Sequence, residues 1–342
     1  MIFNYDQPDI VLPINDTIPW IEKYRPSSLD DIVHQNEIIL TLKKFIKDDC
    51  LPHLLFYGIP GTGKTSTIIA CAKQIFKNNY PFMVMELNAS DDRGIETVRS
   101  KIKQFVSTNG NFASSNSFKL VILDETDAMT NDAQAILRKV VEEFTKVARF
   151  CLICNYIKKI IPALQSRCTK FRFYPISTIK MKDRLSFIAK KENIPIKKSG
   201  ISEIIKIADG DMRKAINSLQ SCFMTCSIVD RHSVDKCIGY PDIETITHIL
   251  NILFTQNFLS AFDNIKHIME IHELSLSDVM FEICFVIISH IILDDNSIIL
   301  QSDFNKLSKI LADLQDIEAN KSSIIFDDIQ LSAIISSFIL NK

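Results

Sequence analysis

Three of the chain's eight glycines, Gly58, Gly61 and Gly63, fall inside one string, GIPGTGKT, at Gly58–Thr65. The string matches GxxxxGKT, in which glycine-permitted turns aim backbone N–H groups inward at a phosphate and the lysine reaches its outer oxygens. Lys64 is read as the ligand of β- and γ-phosphate oxygens and Thr65 as a Mg²⁺ ligand, with Ile59, Pro60, Thr62 and Ser66 completing the loop. A second string, KLVILDETD at Lys119–Asp127, ends an apolar run in acids. A buried strand of this kind delivers carboxylates to the carboxyl edge of a parallel sheet, where ligands bind in such folds. Asp124 is read as holding Mg²⁺ through water. Glu125 is placed to orient and deprotonate an attacking water, which predicts hydrolysis of the nucleotide rather than passive holding of it.

These residues need a scaffold, and the pattern around them supplies one. His53–Tyr57, Phe82–Leu87, Lys119–Leu123 and Arg149–Cys154 read as four buried strands. Helical patterns follow them at Thr65–Asn78, Ile95–Ser107 and Asp132–Phe144, an alternation that predicts a parallel sheet covered on both faces. Asn109–Ser117 is rich in Asn and Ser and reads as a loop. After Pro175 the strand signals stop. Short helices at Lys180–Glu192, Ser199–Ala208, Met212–Cys222 and Val234–Cys237 suggest a small helical domain. A second helical block runs from Asp242, with helices at Asp242–Leu253, Phe258–Glu270, Ser275–Leu293, Ser302–Asn320 and Asp327–Leu340.

With 342 residues, 46% of them hydrophobic and 23% charged, the chain is long enough for two or three domains and too apolar for disorder throughout. The net charge of −2 conceals an asymmetry: 34 basic face 26 acidic residues up to Gly239, and 5 face 15 from Tyr240 onward. A polyanion is expected to meet the front part, leaving the rear as an assembly module. The N-terminal residues do not read as a secretory signal. Val279–Leu293 is apolar but contains Glu282 and His290 and is shorter than the ~18 residues of a spanning helix, so a buried core helix is expected and no membrane partner. Among the nine cysteines, Cys151 and Cys154 form a CxxC without a second pair at zinc spacing, and read as buried thiols in a reducing compartment.

Further strings narrow the family: IPWIEKYRP at Ile18–Pro26, ELNASDDRG at Glu86–Gly94, ICNYIKKIIPALQSRCT at Ile153–Thr169 and GDMRKAINSL at Gly210–Leu219. In this order, with GIPGTGKT and LDETD, they resemble the small subunits of the eukaryotic replication factor C clamp loader, a family of AAA+ ATPases, over nearly the whole chain. The resemblance implies an α/β AAA+ P-loop ATPase domain at 1–175 with a parallel sheet flanked by helices, a small helical lid at 176–239 and an all-α C-terminal collar at 240–342. It implies that Asn155 hydrogen-bonds the γ-phosphate or the attacking water and that Arg167 acts on a neighbouring subunit's ATP. Arg213 on the lid is implied to touch this chain's own nucleotide, and Ile21, Tyr24, Arg25 and Pro26, with Ile32 and Val33, to surround the adenine. Trp20 reads as a packing residue.

Arg93, Arg99, Lys101 and Lys103, with the helix start at Thr130, suit phosphate contacts that position a duplex without reading its bases. A solvated helix face accounts for the same charges, and only the resemblance implies DNA. Partners implied in the same way are the other replication factor C subunits in a hetero-pentamer, the sliding clamp (PCNA) and primer-template DNA, in the nucleus. Thr126 and Ile59 depart from the family's common alanine and proline. Two other readings stand beside this one: another AAA+ machine acting on DNA, and a scaffold that binds nucleotide without hydrolysing it. Intact Lys64, Glu125 and Asn155 speak against the scaffold.

Overall fold

The structure is a computed structural model and describes residues 18–89, 95–107, 118–293, 304–320 and 327–341. In chain order its first elements are α1 (Trp20–Lys23), α2 (Asn36–Lys47), β1 (Leu54–Gly58), α3 (Lys64–Phe76), α4 (Tyr80–Met83), β2 (Val84–Asn88) and α5 (Ile95–Ser107). There follow β3 (Lys119–Asp124), α6 (Asn131–Phe144), β4 (Ala148–Cys154), α7 (Pro162–Gln165) and β5 (Thr169–Phe173). Helices α8 (Thr178–Lys191), α9 (Lys198–Ala208) and α10 (Met212–Thr225) come next. The last are α11 (Arg231–Ile238), α12 (Ile243–Thr255), α13 (Phe258–Ile271), α14 (Leu276–Leu293), α15 (Phe304–Ala319) and α16 (Asp327–Leu340).

The five strands form one parallel sheet in the order β2-β3-β4-β1-β5. Successive strand residues point to opposite faces, and both faces are apolar. Leu54, Phe56, Leu120, Ile122, Cys151 and Ile153 meet Ile38, Ile39, Leu42 and Ile68 from α2 and α3. Leu55, Val121, Leu123, Phe150, Leu152 and Cys154 meet Ile102 of α5 and Leu137, Val140 and Val141 of α6. A sheet buried on both sides needs continuous apolar runs, which is why these strands are legible in the sequence. The spacing of Cys151 and Cys154 sends the two sulfurs to opposite faces, both buried. Burial raises the Cys154 thiol to about 12 and holds Cys151 well above the usual range. Among the described residues no three or more His, Cys, Asp or Glu side chains are grouped so as to hold a metal ion.

Three expectations need correction. A fifth strand, β5, lies at the sheet edge, where Lys170 and Arg172 alternate with Phe171 and Phe173 and hide its apolar face in the sequence. Helix α2 covers one sheet face and had no place in the sequence reading. The strand expected from Phe82 begins at Val84, because Tyr80–Met83 is a helical turn with proline at its start. The loop expected at Asn109–Ser117 lies outside the described residues.

The chain divides into two compact units, Met1–Met224 and Thr225–Lys342. In the first, the sheet is joined by α8–α10, which bury Met181, Leu185, Ile188, Ile204, Ala215 and Leu219. In the second, α12–α16 enclose an aliphatic core that includes Ile249, Leu250, Ile283, Ile287, Leu314 and Ile335, with Phe254 and Phe338 edge to face at 5.2 Å. Glu282, 1% exposed on α14, accepts a 2.8 Å hydrogen bond from the Tyr240 hydroxyl. Among the described residues no single helix is long and apolar enough to cross a membrane.

Candidate nucleotide site

Three neighbouring strands bring the chemistry together. The glycine loop leaves the carboxyl end of β1, Asp124 ends β3, and Asn155 follows β4, which lies between them in the sheet. Gly58, Gly61 and Gly63 have φ of 148°, 68° and 92°, the left-handed region that other residues enter at a cost. Two of them are also sterically required. A Cβ on Gly58 would lie 2.2 Å from the Phe173 carbonyl oxygen of β5, and one on Gly61 would lie 1.6 Å from Asp211 Oδ1.

Lys64, at the first position of α3, is 7% exposed. Its ammonium donates to the carbonyls of Gly58 and Ile59, both at 2.8 Å, and to Asn155 Oδ1 at 2.9 Å. Burial lowers its pKa to about 8, and the Asp124 carboxylate opposes that shift. Thr65 Oγ1 donates to Asp124 Oδ2 at 2.7 Å, while Asp124 Oδ1 accepts the Glu125 N–H at 2.8 Å. Thr65 and Asp124 thus pair two hard oxygens beside the loop. That donor set fits Mg²⁺, which takes one or two protein oxygens and completes its shell with phosphate and water. Glu125 is exposed, with φ 53°, turned outward at the end of the strand. Thr126, fully buried, donates to the Leu123 carbonyl at 3.0 Å, so its hydroxyl is satisfied inside the turn.

A cavity of about 370 Å³ extends from Gly61–Gly63, Thr65 and Ser66 to an apolar end. Ile21, Tyr24, Arg25, Pro26, Ile32 and Val33 line it, as do Arg213 and, unforeseen from sequence, Glu22, Ile176, Arg184, Met212 and Ile216. Gly58, Ile59, Pro60, Lys64 and Asn155 lie outside that lining, as do Asp124 and Glu125; Thr65, which lines it, joins it to them through Asp124. The Ile59 carbonyl serves Lys64 and accepts from Thr62 Oγ1 at 2.9 Å. Arg213 stands where Asp211 Oδ1 accepts its N–H at 2.8 Å and that of Lys214 at 3.1 Å, capping the start of α10. Trp20 is buried against Phe223, their rings 5.6 Å apart.

Two residues to which the sequence reading gives no role hold the strand ends in register. Asp127 Oδ2 accepts the N–H groups of Asn155 at 3.2 Å and Tyr156 at 3.0 Å, fastening the end of β4 to the acidic turn. Fully buried Gln134 accepts the Ile161 N–H at 2.8 Å and donates to the carbonyls of Met129 at 3.2 Å and Lys159 at 2.9 Å. Asp127 closes the LDETD string, which gives no hint of these partners, and no local pattern marks Gln134. Their partners lie about one supersecondary unit away in sequence.

Arg167 is exposed, held by the Ala163 carbonyl at 2.6 Å and by the carboxylate of Glu142, which also faces Arg138 Nε at 3.6 Å. It is not among the residues lining the cavity. Thr130 caps α6 by accepting the Ala133 N–H at 3.3 Å, and Lys101 and Lys103 are exposed on α5. Arg93 and the side chain of Arg99 lie outside the described residues.

Comparison with known proteins adds to this geometry. Residues 54–176 match the ATPase family associated with various cellular activities (AAA), and residues 183–224 match the RCF1/5-like AAA+ ATPase lid domain. Replication factor C subunit 5 of Mus musculus is 46% identical over 94% of this chain and 91% of its own length. Replication factor C subunit 3 of Saccharomyces cerevisiae is 41% identical over 94% and 93%. The chain belongs to the replication factor C subunit family. As a replication factor C subunit it is an AAA+ ATPase, and its relatives are those counted fifth in mammals and third in yeasts. The Thermotoga maritima RuvB Holliday junction branch migration motor shares the fold, with a TM-score of 0.51 at 15% identity over 77% of this chain and 92% of its own.

Proposed function

We propose that this replication factor C subunit binds ATP with Mg²⁺ in the cavity described, hydrolyses it within a hetero-pentamer, and thereby helps open the sliding clamp (PCNA) and load it on primer-template DNA in the nucleus. The observation that carries the reading is the joint placement of Lys64, Asn155, Thr65 and Asp124 at adjacent strand ends, linked by hydrogen bonds of 2.9 and 2.7 Å. Triphosphate oxygens would replace Asn155 and the two carbonyls as acceptors of the Lys64 ammonium and favour its charged form. Thr65 and Asp124 would hold Mg²⁺, which would supply positive charge to offset the charge that develops on the phosphate oxygens. Asn155 then orients the attacking water, and Glu125 accepts its proton.

In this reading Arg167, exposed at the surface, serves a neighbouring subunit's ATP by spreading positive charge over the transferring phosphoryl group. Residues 176–239 act as the lid and the acidic, aliphatic 240–342 as the assembling collar. Lys101 and the α6 start at Thr130, with Arg93 and Arg99, contact DNA phosphates without reading sequence, so binding weakens steeply with salt. The test is Arg167→Ala in the reconstituted complex. Hydrolysis at the adjoining site is expected to fall by on the order of 10³-fold or more, with nucleotide affinity of this chain unchanged. A loss confined to this chain's own pocket overturns the trans assignment.

A further inference from the structure

Residues 20–26 close the apolar end of the cavity, and what grips them comes from the lid helices. Arg184 of α8 donates from Nη2 to the Tyr24 carbonyl at 2.8 Å. The Tyr24 hydroxyl donates to Glu192, the residue capping α8, and Lys23 Nζ lies 2.8 Å from the same carboxylate. Two helices later, on α10, Gln220 Oε1 accepts the Trp20 N–H at 3.1 Å, beside the packing of Trp20 on Phe223. Arg184 also lines the cavity itself. Burial depresses its pKa, a cost that the nearby Asp31 carboxylate offsets in part. The half-buried guanidinium also lies over the Phe187 ring of the same helix, 5.4 Å from its centroid, so it is fixed to α8 and carries that anchorage to the Tyr24 carbonyl.

We propose that Arg184 and Glu192 are positioning residues that make the base-binding segment move with the lid, so that occupancy of the nucleoside end is transmitted to α8 through Tyr24. This rests on the ATP reading above and extends it. The phosphate end reaches the lid by a separate route, through Gly61, whose carbonyl accepts the Met212 N–H at 3.3 Å, and through Arg213. The phosphate end is therefore reported through α10, and the nucleoside end through α8 as well.

Tripolyphosphate, which lacks base and ribose, separates the two routes. In the full chain with Mg²⁺, Arg184→Ala is expected to weaken ATP by about tenfold, the loss of one charge-assisted hydrogen bond, and to leave tripolyphosphate unchanged. Arg184→Lys, which still donates to the Tyr24 carbonyl, recovers part of the loss, and Glu192→Gln loses less than Arg184→Ala. In the wild-type chain, ATP slows amide hydrogen exchange across 178–192 and tripolyphosphate does not. Equal weakening of both ligands by Arg184→Ala, no weakening of either, or equal protection of 178–192 by both ligands overturns the proposal. Lys64→Ala is the control: if it weakens neither ligand, the ATP site itself is misassigned. The exchange measurement needs no variant, so it decides the matter even if a substitution impairs folding.

Discussion

In the proposed reading, the phosphate end and the nucleoside end of the cavity are built on opposite principles. The phosphate end is one continuous string, Gly58–Ser66, with strand-end residues brought beside it by sheet pairing, and much of its hydrogen bonding uses backbone atoms. The nucleoside end is assembled from three segments, 21–33, 176–184 and 212–216, through side chains. A backbone cradle works with few residue types, so it leaves a strong signature. A pocket of packed side chains accepts many solutions, so it leaves a weak one.

The largest expected effect sharpens this contrast at the phosphate end. Glu125→Gln should lower hydrolysis at this site by about 10²- to 10⁴-fold, the range for a lost general base, with ATP affinity retained; single-turnover kinetics in the assembled complex and equilibrium binding read the two. Unchanged turnover would favour the scaffold reading. Gln134→Leu comes next, since it leaves a buried N–H and two carbonyls without the partner they have now. A loss of about 3 kcal/mol in denaturant unfolding of the first unit is expected, together with slower hydrolysis as the end of β4 loosens.

Gly61 and Gly63 test where the two ends meet. Gly61→Ala combines a φ of 68° with a clash against Asp211, which caps the helix bearing Arg213. It should cost about 1–3 kcal/mol and weaken ATP binding. Gly63→Ala has nothing within 4 Å to strike and keeps only its φ penalty, about 1 kcal/mol. Equal effects in thermal unfolding and nucleotide titration would show that the lid contact at Gly61 carries no weight.

The smallest effect concerns the scaffold beneath the loop. His53, just before β1, is held neutral: its Nδ1 accepts the Phe150 N–H at 3.2 Å, and burial, with Arg149 nearby, lowers its pKa from 6.5 to about 4. The unfolded chain takes up this proton first, so the stability it contributes is present above about pH 6.5 and is lost as pH falls towards 4. Denaturation midpoints at pH 7 and pH 5 should differ more for the wild-type chain than for His53→Gln.

Legibility followed the range of the interactions. Strands β1, β3 and β4, buried on both faces, appear as apolar runs, and the loop and acidic turn as strings. Strand β5 escaped because an edge position lets Lys170 and Arg172 face outward, masking the alternation. Helix α2 carried a readable face, Ile38, Ile39 and Leu42, but no chemical motif drew notice to it. Arg184 had no signal at all, for it is one charge among Lys182, Asp183 and Lys190 on a helix that reads only as part of a small helical domain.

The sequence by itself determined that a triphosphate loop and a paired acid stand on a parallel α/β sheet, because each is a short-range pattern dictated by backbone geometry. Only the tertiary structure decided what surrounds the rest of the ligand. Contacts such as Arg184 with Tyr24 and Asp211 with Gly61 join residues about 150 positions apart, and such pairings are fixed by how whole layers pack, which no local run of residues encodes.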